Sequence, residues 1–311
     1  MQVFGMRLTP RWAAPLLAAG VLFGLRKALS NRTHPDLRDQ VALITGSSRG
    51  LGLALAREFA RRGCRLVLCA RDAAELERAR SDVAPFGIDV LVLTCDVTDR
   101  EQVGRMVETA TRRFGRVDML VANAGVIKVG PLATQTISDF EQAMAVMFWG
   151  CLYVVDAVLP QMRARRSGRI GIVTSIGGKV SVPHLLPYSS AKFAATGLAE
   201  GLRAELKPDG VSVTTVVPGL MRTGSHVNAE FKGRNKAELG WFSLGATLPL
   251  TSLSAEDAAR RIVEAMQRGD AEVILGWQAG MLARVHGLLP GVTTGSERLG
   301  RSEYGARMSR C

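Results

Sequence analysis

The sequence predicts a doubly wound α/β fold: one domain on a parallel sheet of about seven strands, with N- and C-terminal extensions. Three observations carry this. From Gln40 onward, short β-branched runs alternate with longer segments of helical periodicity. The strand runs are apolar throughout rather than on alternate residues, as in sheets covered on both faces. The first run leads into a glycine-rich turn that opens a helix. In such sheets, ligands bind beyond the carboxyl ends of the strands.

In chain order, "VALIT" (41–45) is the first strand, and "GLALAREFARRG" (52–63) is a helix stopped by a glycine. "RLVLCA" (65–70), "DVLVLTC" (89–95) and "VDMLVAN" (117–123) follow as strands, separated by the helical "DAAELERARSDV" and "REQVGRMVETATRRF". "GRIGIVTS" (168–175), "VSVTTVVP" (211–218) and "AEVILG" (271–276) complete the set, and a helix begins in "PYSSAKFAATGLAEGLRAEL" (187–206). Residues 39–276 therefore form the expected domain, with extensions at 1–38 and 277–311.

In the first extension, "WAAPLLAAGVLFGL" (12–25) lies between Arg7 and Arg11 on one side and Arg26 and Lys27 on the other. As a helix it would be about 21 Å long, too short for the roughly 30 Å hydrocarbon core. It runs into Arg-Lys without a small-residue cleavage site. An interfacial anchor on anionic headgroups is expected; a helix packed on its own domain or on a partner is the alternative.

Composition narrows the function classes. With 47% apolar and 22% charged residues, the 311-residue chain is globular. A net charge of +12 would suit nucleic acid, an anionic membrane or a phosphorylated ligand. No basic stripe is interleaved with aromatics, which make up 5% of the chain, so nucleic acid is not an expected partner. Cys64, Cys69, Cys95, Cys151 and Cys311 lack metal-ligand spacing, and the first four lie in apolar stretches, as in a reducing compartment. His34, His184, His226 and His286 are scattered, and no metal is expected. The expected location is the cytoplasm, attached to the membrane surface by the N-terminal segment.

The turn after the first strand reads "TGSSRGLG". Gly46, Gly50 and Gly52 let the backbone approach a pyrophosphate, whose charge the free amides of the next helix favour; Thr45, Ser48, Arg49 and Leu51 complete the expected cradle. The second strand ends in "CARD", where an acidic residue would suit the 2′-hydroxyl of NAD. Here Arg71 comes first, with Arg49 in the turn, and two guanidiniums suit the 2′-phosphate of NADP(H). Asp72 could instead cap the next helix. In "CDV", Asp96 could accept from the adenine amino group beside Val97, or serve only the turn.

"ANAG" brings Asn123, Ala124 and Gly125 to the end of the fourth strand; Ser175 ends the fifth; thirteen residues on, Tyr188 stands one helical turn before Lys192. In this order and spacing, the motifs resemble the short-chain dehydrogenase/reductase family from about Gln40 to Gly276. "GPL" (130–132) and "PGLMRTG" (218–224) are most similar to bacterial NADP-dependent members. The resemblance implies a Rossmann-type fold in which Tyr188 is the general acid for carbonyl reduction. It implies that Lys192 lowers the tyrosine pKa and holds the nicotinamide ribose, and that Ser175 steadies the substrate oxygen. Pro218, Gly219 and Thr223 would touch the cofactor. The sequence departs from the family in "VMFWG", where Met147 replaces an asparagine that holds a relay water.

A substrate loop is expected over 219–253, with Phe231, Trp241 and Phe242 as an apolar lid or as part of a packed insert. In the tail, Trp277, Met281, Val285 and Leu288 recur at helical spacing and could cover the pocket, pair subunits or lie on a membrane. The expected protein is a homo-oligomeric NADP(H)-dependent oxidoreductase for a small apolar ketone or secondary alcohol. The rival reading, drawn from Met147 and the N-terminus, is a weakly active or inactive NADP(H)-binding sensor or scaffold at a membrane.

Overall fold

A computed structural model of the chain describes residues 36–222, 230–232 and 253–290. The apolar N-terminal run, Thr223, Trp241, Phe242 and the tail beyond residue 290 lie outside the described residues.

The strands are β1 (Val41–Thr45), β2 (Arg65–Ala70), β3 (Val90–Thr94), β4 (Met119–Ala122), β5 (Gly168–Val173), β6 (Val211–Pro218) and β7 (Glu272–Leu275). They form one parallel sheet in the order β3-β2-β1-β4-β5-β6-β7. The chain winds outward from β1 to one edge, then returns to β4 and winds to the other. The crevice therefore opens between β1 and β4, where the winding direction changes. This is the doubly wound Rossmann-type fold expected from the apolar strand runs. Several strands are one or two residues shorter at an end than predicted, because residues such as Asn123 and Ser175 turn into the cleft.

The helices are α1 (Gly50–Arg61), α2 (Ala73–Val83), α3 (Arg100–Phe114), α4 (Ile137–Met144), α5 (Gly150–Ala164), α6 (Leu186–Leu206), α7 (Ala255–Arg268) and α8 (Trp277–Leu288). Successive strand residues face opposite sides of the sheet, so each strand feeds two cores. Val41 and Leu43 of β1 pack with α3, α5 and α6, whereas Ala42 and Ile44 pack with α1, α2 and α7. This double burial explains why the strands contain so few polar residues.

Between α4 and α5 the helix widens into a π turn, Ala145–Trp149. The continuous run Ile137–Ala164 contains an 18-residue window with a mean hydropathy of 1.7 and is long enough to cross a membrane. Val146, Val154, Val155, Val158 and Met162 nevertheless lie in the sheet-facing core, so the run is a core helix of this domain.

The compact unit begins at Leu37, which is buried among α1 residues and accepts a hydrogen bond from the Cys64 thiol through its carbonyl. Removal of residues 1–36 should leave a cooperatively melting domain, whereas Leu37→Ala in that truncated chain should cost about 2–5 kcal/mol. Denaturant titration of both checks this; loss of cooperative unfolding on truncation alone would contradict it.

Candidate active site

At the end of β1, the Thr45 hydroxyl accepts hydrogen bonds from the amides of Asn123 (3.0 Å) and Ala124 (3.1 Å). The Asn123 side-chain amide donates in return to the carbonyls of Thr45 (3.0 Å) and Gly46 (3.1 Å). These bonds join the ends of β1 and β4 and set the shape of the glycine turn. Gly46 adopts φ +62°, and a Cβ at Gly52 would collide with the Gly46 carbonyl oxygen. Arg49, at the N-cap of α1, makes no side-chain capping bond. The first amides of α1 thus face the cleft as donors for an anion. A dinucleotide pyrophosphate fits this cradle.

The cleft has a volume of ≈ 1060 Å³. That lies at the upper end of small-ligand pockets, as a cofactor with its substrate requires. Of the cofactor residues expected from sequence, all but two line it. Thr45 lies behind the turn and shapes it, and Thr223 is outside the described residues. Asp72 caps α2, accepting from the Glu75 amide at 2.8 Å. Asp96 lines the cleft while one carboxylate oxygen accepts from the amide (2.9 Å) and hydroxyl (2.8 Å) of Thr98. Arg49 and Arg71 both line the cleft. Glu75, which the sequence reading missed, also lines the cleft: it accepts from the Ser48 hydroxyl at 2.9 Å and from Arg49 Nη1 at 2.8 Å. Its partners lie 27 and 26 residues earlier in the chain, so no local pattern marks it.

The catalytic candidates converge at the other end. Ser175 caps a short 3₁₀ turn, Ile176–Gly178, and its Oγ accepts from the Gly177 amide at 3.0 Å. Its hydroxyl lies beside the Tyr188 phenol and acts to lower the phenol pKa. Lys192 is buried one helical turn on, with Nζ donating to the Val173 carbonyl at 2.7 Å and lying 5.7 Å from the Tyr188 ring centre. Burial pushes the Lys192 ammonium down to about 8. The expectation that Lys192 draws the phenol pKa down is not met in the protein alone. Burial raises Tyr188, and the opposing influence is the Ser175 hydrogen bond. A protonated phenol suits proton donation to a carbonyl.

Met147 occupies the π turn and is buried, with its sulfur close to Gly125. It borders a ≈ 10 Å³ cavity with Thr45, Val97, Cys151 and Val173. That is the lower limit for one water, and the lining is mostly apolar. Cys151 beside it is inert, its thiol pushed up to about 12 by burial.

The outer wall also contains residues the sequence reading did not select. Lys128 and Glu230 line the cleft, and the two-residue strands Lys128–Val129 and Glu230–Phe231 pair in parallel. Buried Asp139 fastens them, accepting from Lys128 Nζ (2.8 Å) and Lys232 Nζ (2.6 Å). These lysines, with Thr136, hold the Asp139 carboxyl far below the ordinary carboxylate range. Contacts separated by 93 residues along the chain carry no local sequence pattern.

A family model described as "short chain dehydrogenase" matches residues 40–232, which include the turn, Ser175, Tyr188 and Lys192 in the places just described. The chain belongs to the short-chain dehydrogenase/reductase family. Members of this family are NAD(P)-binding oxidoreductases, and this chain has that character. It is 34% identical over 260 residues to "Dehydrogenase/reductase SDR family protein 7-like" of Anopheles gambiae, covering 82% of this chain and 80% of the relative. It is 35% identical over 248 residues to "11-beta-hydroxysteroid dehydrogenase A" of Sesamum indicum, covering 76% and 68%. A short-chain dehydrogenase/reductase from Burkholderia phymatum in complex with NAD superposes with TM-score 0.75 at 25% identity, over 81% of this chain and 94% of that one. An alcohol dehydrogenase from the archaeon Thermococcus sibiricus, complexed with 5-hydroxy-NADP, gives TM-score 0.65 at 28% identity, over 77% and 97%.

Lys192 makes a pH signature measurable. Its folded pKa, about 8, lies below the ordinary lysine value of 10.5, so between these values the unfolded chain binds more protons and stability rises with pH. The cost of burying the charge is full below pH 8 and fades toward 10.5. Relative to the parent, Lys192→Met should be most stabilised below pH 8 and lose that advantage as pH rises through this window. A stability difference independent of pH from 7 to roughly 10.5 would contradict a buried, charged Lys192.

Proposed function

We propose that this short-chain dehydrogenase/reductase uses NADP(H) to interconvert a ketone and a secondary alcohol on an apolar, lipid-like substrate. The observation that carries the cofactor choice is the pair Arg49 and Arg71 at the ribose end of the cleft, with no carboxylate at the Arg71 position. Guanidiniums grip phosphate oxygens in a fork. Val126, Ile127, Val146, Val182, Leu185 and Leu220, which line the cleft, support the apolar class.

In this reading, bound NADPH supplies a hydride to the carbonyl carbon. The Tyr188 phenol donates a proton to the carbonyl oxygen, and the Ser175 hydroxyl hydrogen-bonds that oxygen as charge builds on it. Lys192 binds the ribose from its buried position and keeps a cation beside Tyr188. Bound cofactor and substrate would displace water from this end of the cleft, which strengthens each bond made there. The inactive-binder reading retains one specific observation, the apolar space around Met147. The N-terminal basic and apolar segment suits attachment to an anionic membrane surface.

The parent should bind NADPH at least tenfold more tightly than NADH, since each charge-assisted bond is worth roughly 1.5–3 kcal/mol. Arg71→Asp should reverse the order. Equal dissociation constants in the parent would overturn the NADP(H) assignment.

Tyr188→Phe should lower carbonyl turnover by roughly 10²–10⁴ while leaving NADPH affinity nearly unchanged. Met147→Asn should raise turnover about tenfold, by offering a water the hydrogen bonds methionine lacks, and lower the melting temperature by placing an amide in an apolar core. Steady-state rates over a ketone and alcohol panel, with melting curves, provide the check. Tight NADPH binding without turnover in either the parent or Met147→Asn would favour the inactive binder.

A further inference from the structure

We propose that Glu75 is a cofactor-specificity residue whose carboxylate competes with the 2′-phosphate for Ser48 and Arg49, and so limits the preference for NADP(H) over NAD(H). This inference rests on the NADP(H) reading of the ribose corner. Glu75 is the third residue of α2, and its backbone amide is satisfied by Asp72. Its side chain takes no part in that cap. One oxygen accepts from the Ser48 hydroxyl at 2.9 Å, and the other from Arg49 Nη1 at 2.8 Å. The carboxylate lines the cleft beside Arg71 and Asp72 and is only partly exposed.

Two of the donors suited to a 2′-phosphate are thus already engaged by a negative charge. A phosphate that takes them must displace Glu75 and then sit beside it, at the cost of like-charge repulsion. The 2′-hydroxyl of NAD(H) meets no such obstacle, because it can donate to the same carboxylate. Arg71 has no hydrogen bond to Glu75 among those described, so it remains the arginine first available to phosphate. The corner therefore combines two cations that favour phosphate with one anion that opposes it, and selectivity is their difference.

The test measures NADPH and NADH dissociation constants by cofactor fluorescence for the parent, Glu75→Gln, Glu75→Ala and Arg71→Asp, with cofactor-free melting curves to confirm folding. Both Glu75 variants keep the Asp72 cap, which uses only backbone at residue 75. They should bind NADPH at least tenfold more tightly than the parent, with NADH affinity unchanged within threefold or weakened. Unchanged or weakened NADPH binding in both variants would overturn the proposal and make Glu75 a residue that orients Arg49. Failure of the NADP(H) reading has a different signature: a parent that does not favour NADPH and an Arg71→Asp change that leaves the ratio unmoved. A gain in NADPH affinity on neutralising Glu75 supports the proposal in either background.

Discussion

The site depends on the bonds between the ends of β1 and β4. Thr45 Oγ1 receives the amides of Asn123 and Ala124, and the Asn123 side chain closes on the carbonyls of Thr45 and Gly46. The winding of the sheet reverses between these paired strands, so the segments that follow them diverge and would leave polar backbone unpaired in the crevice. The bonds satisfy that backbone and fix the glycine turn against it. The start of α1 then projects its free amides into the cleft. Everything at the pyrophosphate end follows from this geometry.

At the reacting end, a second arrangement is built from burial. Ser175, Tyr188 and Lys192 come from the turn after β5 and the first two turns of α6, where Ser175 accepts from the Gly177 amide and Lys192 donates to the Val173 carbonyl. Low dielectric favours the neutral phenol and destabilises the ammonium, which retains one carbonyl as its partner. Before cofactor arrives, the protein therefore holds a neutral phenol, while the cation beside it sits near its titration point. A bound dinucleotide would add negative phosphates and so favour the charged lysine.

Much of this was legible in the sequence because it is written locally. Apolar strand runs, the "TGSSRGLG" turn, and the spacing of Tyr188 and Lys192 each encode one element or one helical face. The alternative given for Asp72 was also local, and the structure shows that cap. Less legible were contacts made between distant segments. Glu75 meets Ser48 across 27 residues, and Lys232 meets Asp139 across 93. The π turn at Met147 was hidden too, since one extra residue in a helical turn leaves the apolar pattern almost unchanged. The direction of the Tyr188 shift depended on how deeply the phenol is buried, which spacing alone does not reveal.

The central claim is that this cleft transfers hydride to an apolar carbonyl while Tyr188 supplies the proton. NADPH deuterated at nicotinamide C4 tests it most directly, with mass spectrometry of the alcohols formed from an apolar ketone panel. The account predicts one deuterium on the carbinol carbon of at least one product, with roughly 10²–10⁴-fold less labelled product from Tyr188→Phe at the same exposure. Tight binding of the labelled cofactor, with no deuterium in any product of the panel, would contradict it.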